Sequence, residues 1–155
     1  MRPVGTGDRT WVSWVLEQRW GSAEVVSRGR THRADALPAL VAEVSGERCG
    51  LATYLIDGAE AELVSLDALR ARRGIGTVLL AATVEAARSA GCRRLRLSTT
   101  NDNLDAMRFY QRRGLRIVAV RVGAVDDARL RKPQIPEIGE YGIALHDEIE
   151  LAVDL

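Results

Sequence analysis

The sequence predicts a mixed α/β fold, one sheet with helices on its faces. Three observations carry that expectation. Between residues 39 and 66, short apolar alternations are separated by glycine-bearing turns, the pattern of a strand meander. The period then changes at Gly74-Ile75-Gly76, which opens a long apolar stretch without proline. From there strand, helix and strand alternate to the end of the chain.

The elements follow in order. Asp8 is placed to cap a helix with Trp11, Trp14, Val15 and Leu16 on one side, ending at Trp20-Gly21. Three tryptophans at that spacing read as core or groove wall. Ala39 to Val44, Cys49 to Ile56 and Ala61 to Leu66 read as strands, separated by turns at residues 45–48 and at Asp57-Gly58. The apolar run from Val78 to Ala90 reads as a helix stopped by Gly91, since glycine takes the left-handed conformation a helix end needs. Arg93 to Thr99 alternates as a strand, and Asn103 to Arg113 reads as a helix ending on Gly114. Leu115 to Val122 is a further strand, residues 132–142 a proline- and glycine-punctuated loop, and Glu148 to Leu155 a final strand.

Length and composition narrow the function. The 155 residues suit a single domain spanning 1–155, and no repeat or linker divides them. A net charge of +1 argues against nucleic acid as a partner, because neutralising phosphates takes a concentrated basic face. No window approaches the roughly 20 continuous apolar residues of a membrane span, and no signal peptide is evident, so a cytoplasmic protein is expected. The two cysteines, Cys49 and Cys92, read as buried thiols rather than a disulfide framework. No His/Cys cluster has ligand spacing, so no metal is expected.

The turn at residues 74–76 has a chemistry of its own. A helix N-terminus presents unpaired N–H groups and a partial positive charge, and glycine lets an anion approach the backbone. Arg70, Arg72 and Arg73 stand just before it. Together they form a candidate pyrophosphate cradle. The third glycine of a dinucleotide fingerprint and the Gly-Lys-Ser/Thr of a P-loop are both missing.

The turn is one of three linked motifs. Arg72-Arg-Gly-Ile-Gly-Thr-Val-Leu-Leu80, Asn103-Leu-Asp-Ala-Met-Arg-Phe-Tyr110 and Arg113-Gly-Leu115 resemble the GCN5-related N-acetyltransferase (GNAT) superfamily. That resemblance implies a central, mostly antiparallel sheet of six to seven strands flanked by about four helices. It implies acetyl-CoA as cosubstrate. The strand ending near Leu66 would splay from its neighbour and offer backbone groups to the pantetheine arm. Arg72, Arg73, Gly74, Ile75, Gly76 and Thr77 would hold the pyrophosphate. Asn103 would cap its helix and contact the cofactor, and Tyr110 would stand near the thioester sulfur. Two positions depart from the pattern: Ala71 replaces the family's Gln or Arg, and Leu115 a frequent Phe.

Acetyl transfer needs a neutral amine, so a base must take a proton from an ammonium of pKa about 10, and a donor helps the thiolate leave. Tyr110 suits the donor role. Glu62 is the first candidate base, on the strand leading to Leu66, where it resembles the strand glutamate of histone-modifying members. His32 and His146 are alternatives. His32 lies in a polar stretch that reads as surface loop, and His146 precedes the last strand and could line the acceptor pocket. No Gly-x-Ser-x-Gly or Cys/His pairing points to a covalent acyl-enzyme, so direct transfer is expected.

The acceptor, a small-molecule or protein amine, is not specified. Six acidic residues and no arginine or lysine follow Lys132, which would suit a cationic amine. The loop from Pro133 to Gly142 could cover that site. The alternative function is a non-catalytic acyl-CoA-binding domain of the same fold. Oligomeric state stays open, with a homodimer among the possibilities.

Overall fold

The computed structural model describes residues 1–70 and 73–155. Ala71 and Arg72 lie outside the described residues, and with them two positions of the sequence motif.

The strands are β1 (Arg2–Pro3), β2 (Glu24–Ser27), β3 (Arg30–Arg33), β4 (Ala39–Val44), β5 (Glu47–Asp57), β6 (Glu60–Ala68), β7 (Arg94–Thr100), β8 (Arg116–Arg121) and β9 (Glu148–Asp154). Seven of them form one sheet in the order β1-β4-β5-β6-β7-β9-β8, while β2 and β3 make a separate hairpin. The helices are α1 (Arg9–Trp20), α2 (Ile75–Ser89), α3 (Leu104–Gln111) and α4 (Ala124–Arg131). Every pairing in the large sheet is antiparallel except β6 with β7. A parallel pair cannot be joined by a hairpin, and α2 supplies the crossover.

Each sheet face has its own core. On one, Leu79, Leu80 and Ala87 of α2 and Tyr110 of α3 pack on Ala61, Leu63, Leu95, Leu97 and Leu151. On the other, Val12, Val15 and Leu16 pack with Val25, Leu51 and Val64. The spacing 12, 15, 16 is one stripe of a helix, and α1 stops at Gly21, whose φ of 76° only glycine adopts freely.

Several sequence expectations are corrected in detail. The Asp8 side chain does not cap α1; it is buried against Arg2 and Arg48, at 2.6 and 3.0 Å, so ion pairing outcompetes capping. Hydrogen bonds from Arg2 and the Gly5 N–H, with the charges of both arginines, hold the Asp8 carboxyl far below the usual range. Trp14 is 54% exposed, and valines and a leucine fill the core beneath α1 instead. Besides the short β1, the β2–β3 hairpin and helix α4 had no expectation. The β2–β3 hairpin turns on Arg28-Gly29, both with positive φ, the two-residue turn that matches strand twist. Helix α4 buries only Val125, so no apolar stripe announces it. Cys49 and Cys92 are buried free thiols.

Candidate active site

The site begins where the sheet comes apart. The β6–β7 ladder runs only from Glu60↔Arg94 to Leu63↔Leu97, although both strands continue beyond it. A bulge at the same level of β6, between its pairs with Thr53 and Tyr54, adds one residue and bends the strand. Val64 to Leu66 and Ser98 to Thr99 therefore line a cleft together with Asn103 and Tyr110. Leu66 stands at the point where the resemblance places a splay.

Beside the cleft, Gly74 has a φ of 69° and leads directly into α2, which begins at Ile75. Arg73, Gly74 and Thr77 are exposed, Ile75 is buried and Gly76 half-buried. A Cβ on Gly76 would stand 3.3 Å from the Phe109 ring, so this glycine lets α3 lie close against the start of α2. Arg113 adds a cation that the sequence reading treated only as motif spelling. Its guanidinium lies 3.7 Å above the Phe109 ring and donates to Thr77 Oγ1 at 2.7 Å. Asn103 caps α3, its side chain accepting from the Ala106 N–H at 3.1 Å.

Tyr110 is buried, edge-on to Phe109. Burial, followed by the negative charge of Asp67, pushes its phenol well above the ordinary tyrosine range. It is therefore protonated throughout the physiological range and remains a donor. Asp67 was not singled out from the sequence. It is buried, its carboxylate accepts from Trp20 Nε1 at 3.2 and 3.1 Å, and burial pushes its carboxyl up to about 6.

Glu62 occupies a closed polar cluster between the sheet and the β2–β3 hairpin. Ser27 Oγ donates to its Oε1 at 2.6 Å, and Arg96 Nη1 stands 3.3 Å from Oε2. His32, expected on a surface loop, is 7% exposed, with Nε2 4.0 Å from Glu62 and no hydrogen-bond partner. The hairpin explains this, because His32 alternates inward while Thr31 and Arg33 face out. Glu62 lines none of the cavities of the cleft, but Ser27 does. His146 is exposed and engages Asp126 on α4.

Three neighbouring cavities, here called cleft, passage and chamber, share lining residues. The cleft at Tyr110 shares Trp20, Leu63, Val64, Ser98, Thr99 and Asn103 with a passage that Ser27 also lines. That passage shares Trp20, Val25, Val26, Thr100 and Glu148 with a chamber of about 500 Å³. The chamber is walled by α4, β2, the end of α1 and residues 134–136 of the expected covering loop. Asp102 pins that loop, accepting from Glu140 N at 2.8 Å. Of the acidic residues following Lys132, Glu137 and Glu140 on the covering loop are exposed, whereas Glu148 and Glu150 are buried. Arg121 pairs with Glu148 at 3.0 Å and also with Glu150.

A sheet opened between β6 and β7, with a glycine turn and helix N-terminus beside the gap, defines the class: the chain belongs to the acetyltransferase (GNAT) family, whose pattern it matches over residues 9–115. Among its relatives is the uncharacterized protein YdhI of Bacillus subtilis (strain 168), 45% identical over 133 residues, which are 85% of this chain and 83% of that one. An IAA acetyltransferase from Bacillus cereus ATCC 14579 superimposes with a TM-score of 0.66 at 28% identity, covering 76% of this chain and 77% of the other. A Bacillus subtilis acetyltransferase in complex with CoA gives a TM-score of 0.67 at 25% identity, covering 76% of each chain. Among the described residues no three His, Cys, Asp or Glu side chains gather as a metal site, and no helix is long and apolar enough to cross a membrane.

Proposed function

We propose that this protein is an N-acetyltransferase that moves the acetyl group of acetyl-CoA directly onto a primary amine, with Tyr110 as acid and Glu62 as base acting through Ser27. The observation that carries this reading is the run of adjoining cavities from chamber to cleft, which share lining residues, with Ser27 on the middle one and Tyr110 on the last. The residues suit acetyl-CoA. The open edges of Val64–Leu66 and Ser98–Thr99 have lost their β6–β7 partners and can take an extended polar arm. The N-terminus of α2, with Arg73 and Arg113 beside it, suits a pyrophosphate. Acetyl-CoA supplies the activated acyl group.

The chain's own work is the movement of two protons. An acceptor arriving as an ammonium first gives a proton to Ser27 Oγ, whose own proton moves to Glu62 Oε1 over the existing 2.6 Å hydrogen bond, and the neutral nitrogen then bonds to the acetyl carbon. Arg96 holds Glu62 in the orientation that receives it. As the carbon–sulfur bond breaks, the thiolate takes the phenolic proton of Tyr110 while the acylated nitrogen sheds its remaining extra proton back to the phenol, so no buried tyrosinate is left beside Asp67.

The test is a pH–rate profile of wild type, Glu62→Gln, Ser27→Ala and Tyr110→Phe on one good amine. Loss of a general base costs roughly 10²–10⁴ in rate. The Glu62→Gln and Ser27→Ala deficits should shrink as pH rises and more amine is neutral; that of Tyr110→Phe should be smaller and not rescued. Wild-type rates in Glu62→Gln across the range would remove it as base. Tight coenzyme A binding with no thiol release over a broad amine panel would instead indicate a non-catalytic acyl-CoA-binding domain.

A further inference from the structure

We infer that the acceptor is a small amine with an apolar body and a carboxylate at the end opposite the amine, held by Lys132 in the chamber. This rests on the transferase reading above and adds the acceptor's chemistry. The chamber's size is that of a small-molecule pocket rather than a protein-docking surface. Its walls are mostly apolar, contributed by Val25, Val125, Ala128, Ile135, Pro136 and Leu145.

Its polar groups are few and of opposite sign. Glu148 lines both chamber and passage, on the side leading to Tyr110. Its carboxylate accepts from the Arg28 backbone N–H at 3.2 and 3.3 Å and from Arg121 at 3.0 Å, leaving acceptor capacity for an incoming ammonium. Lys132 lines the chamber and not the passage. It is the chain's only lysine and 9% exposed.

The surroundings of Lys132 call for an anion. Its Nζ donates to the backbone carbonyls of Trp20 and Glu24, at 2.8 and 2.9 Å. An ammonium has three donors, so one is left over, and both partners are neutral. Among the described residues no carboxylate forms an ion pair with Nζ; the exposed Glu24 acts on it only as a nearby charge, and burial outweighs that and lowers the Lys132 pKa. A ligand carboxylate supplies both the third hydrogen bond and a direct ion pair. Arg19, on the same wall, adds to the positive potential.

The experiment compares three acceptors of one chain length: 6-aminohexanoate, hexylamine and 1,6-diaminohexane, with a lysine-bearing peptide alongside. For wild type, kcat/KM should be highest for 6-aminohexanoate, by about tenfold over hexylamine, the worth of a charge-assisted hydrogen bond. It should be lowest for 1,6-diaminohexane, which sets a second cation against Lys132. Lys132→Met should remove the advantage of 6-aminohexanoate over hexylamine, bringing the ratio of their kcat/KM values close to one. Should that variant fail to fold, Ala128→Trp, which fills the chamber, should abolish acetylation of all three while acetyl-CoA affinity holds. If the diamine or the peptide is preferred, or if Lys132→Met leaves the ratio unchanged, the carboxylate assignment falls and the transferase reading stands. If acetyl-CoA binds and no amine, peptide included, is acetylated, both fall.

Discussion

Replacing Asp67 by asparagine isolates the cost of a carboxylate buried beside the acetyl cleft. The asparagine side chain is nearly isosteric, and its carbonyl can still accept from Trp20 Nε1, which in the wild type bonds both carboxylate oxygens. The Asp67 carboxyl is raised from 3.8 to about 6 in the folded chain. About two pKa units at 1.36 kcal/mol each give roughly 3 kcal/mol. The sign follows from linkage. Below the unfolded value both states are protonated and nothing is lost; between 3.8 and about 6 the unfolded chain releases its proton first, so stability falls as pH rises. An amide in place of the carboxyl has no such loss, although its N–H groups need partners, which subtracts about 1 kcal/mol. Urea unfolding of both proteins should show Asp67→Asn equal or slightly less stable near pH 4, and about 1–3 kcal/mol more stable near pH 7.5. A difference between the two that stays constant from pH 4 to 7.5 would refute the reasoning.

Gly76→Asp should weaken coenzyme A binding at least tenfold by calorimetry, since its Cβ would press on Phe109 3.3 Å away and shift the ring on which Arg113 rests, while a carboxylate is added at a pyrophosphate site. Unchanged affinity in a folded variant would show that the turn is not the cradle. Gly139→Ala should cost about 1–3 kcal/mol in thermal unfolding, because its Cβ would fall 2.5 Å from Asp102 Cγ, and that carboxylate is held by Thr100 and Glu140 N. A stability equal to wild type would mean the loop is free to move off Asp102.

The strands of the meander and the helices stopped by Gly21, Gly91 and Gly114 were legible because burial on one face leaves a period and a left-handed stop leaves a glycine. Helix α4 was not, since Asp126, Asp127, Arg129 and Arg131 surround one buried valine. The β2–β3 hairpin left a trace in Gly29 but none in its apolar pattern, and missing it put His32 on the surface. Motif spacing pointed to Tyr110, Asn103 and the turn. What spacing could not convey was long-range juxtaposition: Asp67 meeting Trp20 from 47 residues away, or Lys132 reaching Trp20 across 112. Those pairings belong to the packing of α1 and α4, which no local pattern encodes.

The short β6–β7 ladder also has a mechanical meaning. Strands β1, β4, β5 and β6 come from residues 2–68 and strands β7, β8 and β9 from 94–154, so two consecutive stretches of chain lie side by side and are zipped over four residue pairs at one end. Each half carries its own right-handed twist, about 20–25° from strand to strand. The width of the aperture is therefore set by the difference between two twists, much as the jaws of pliers are set by their handles. Substitutions far out on β4 or β8 can widen or narrow it without touching a lining residue.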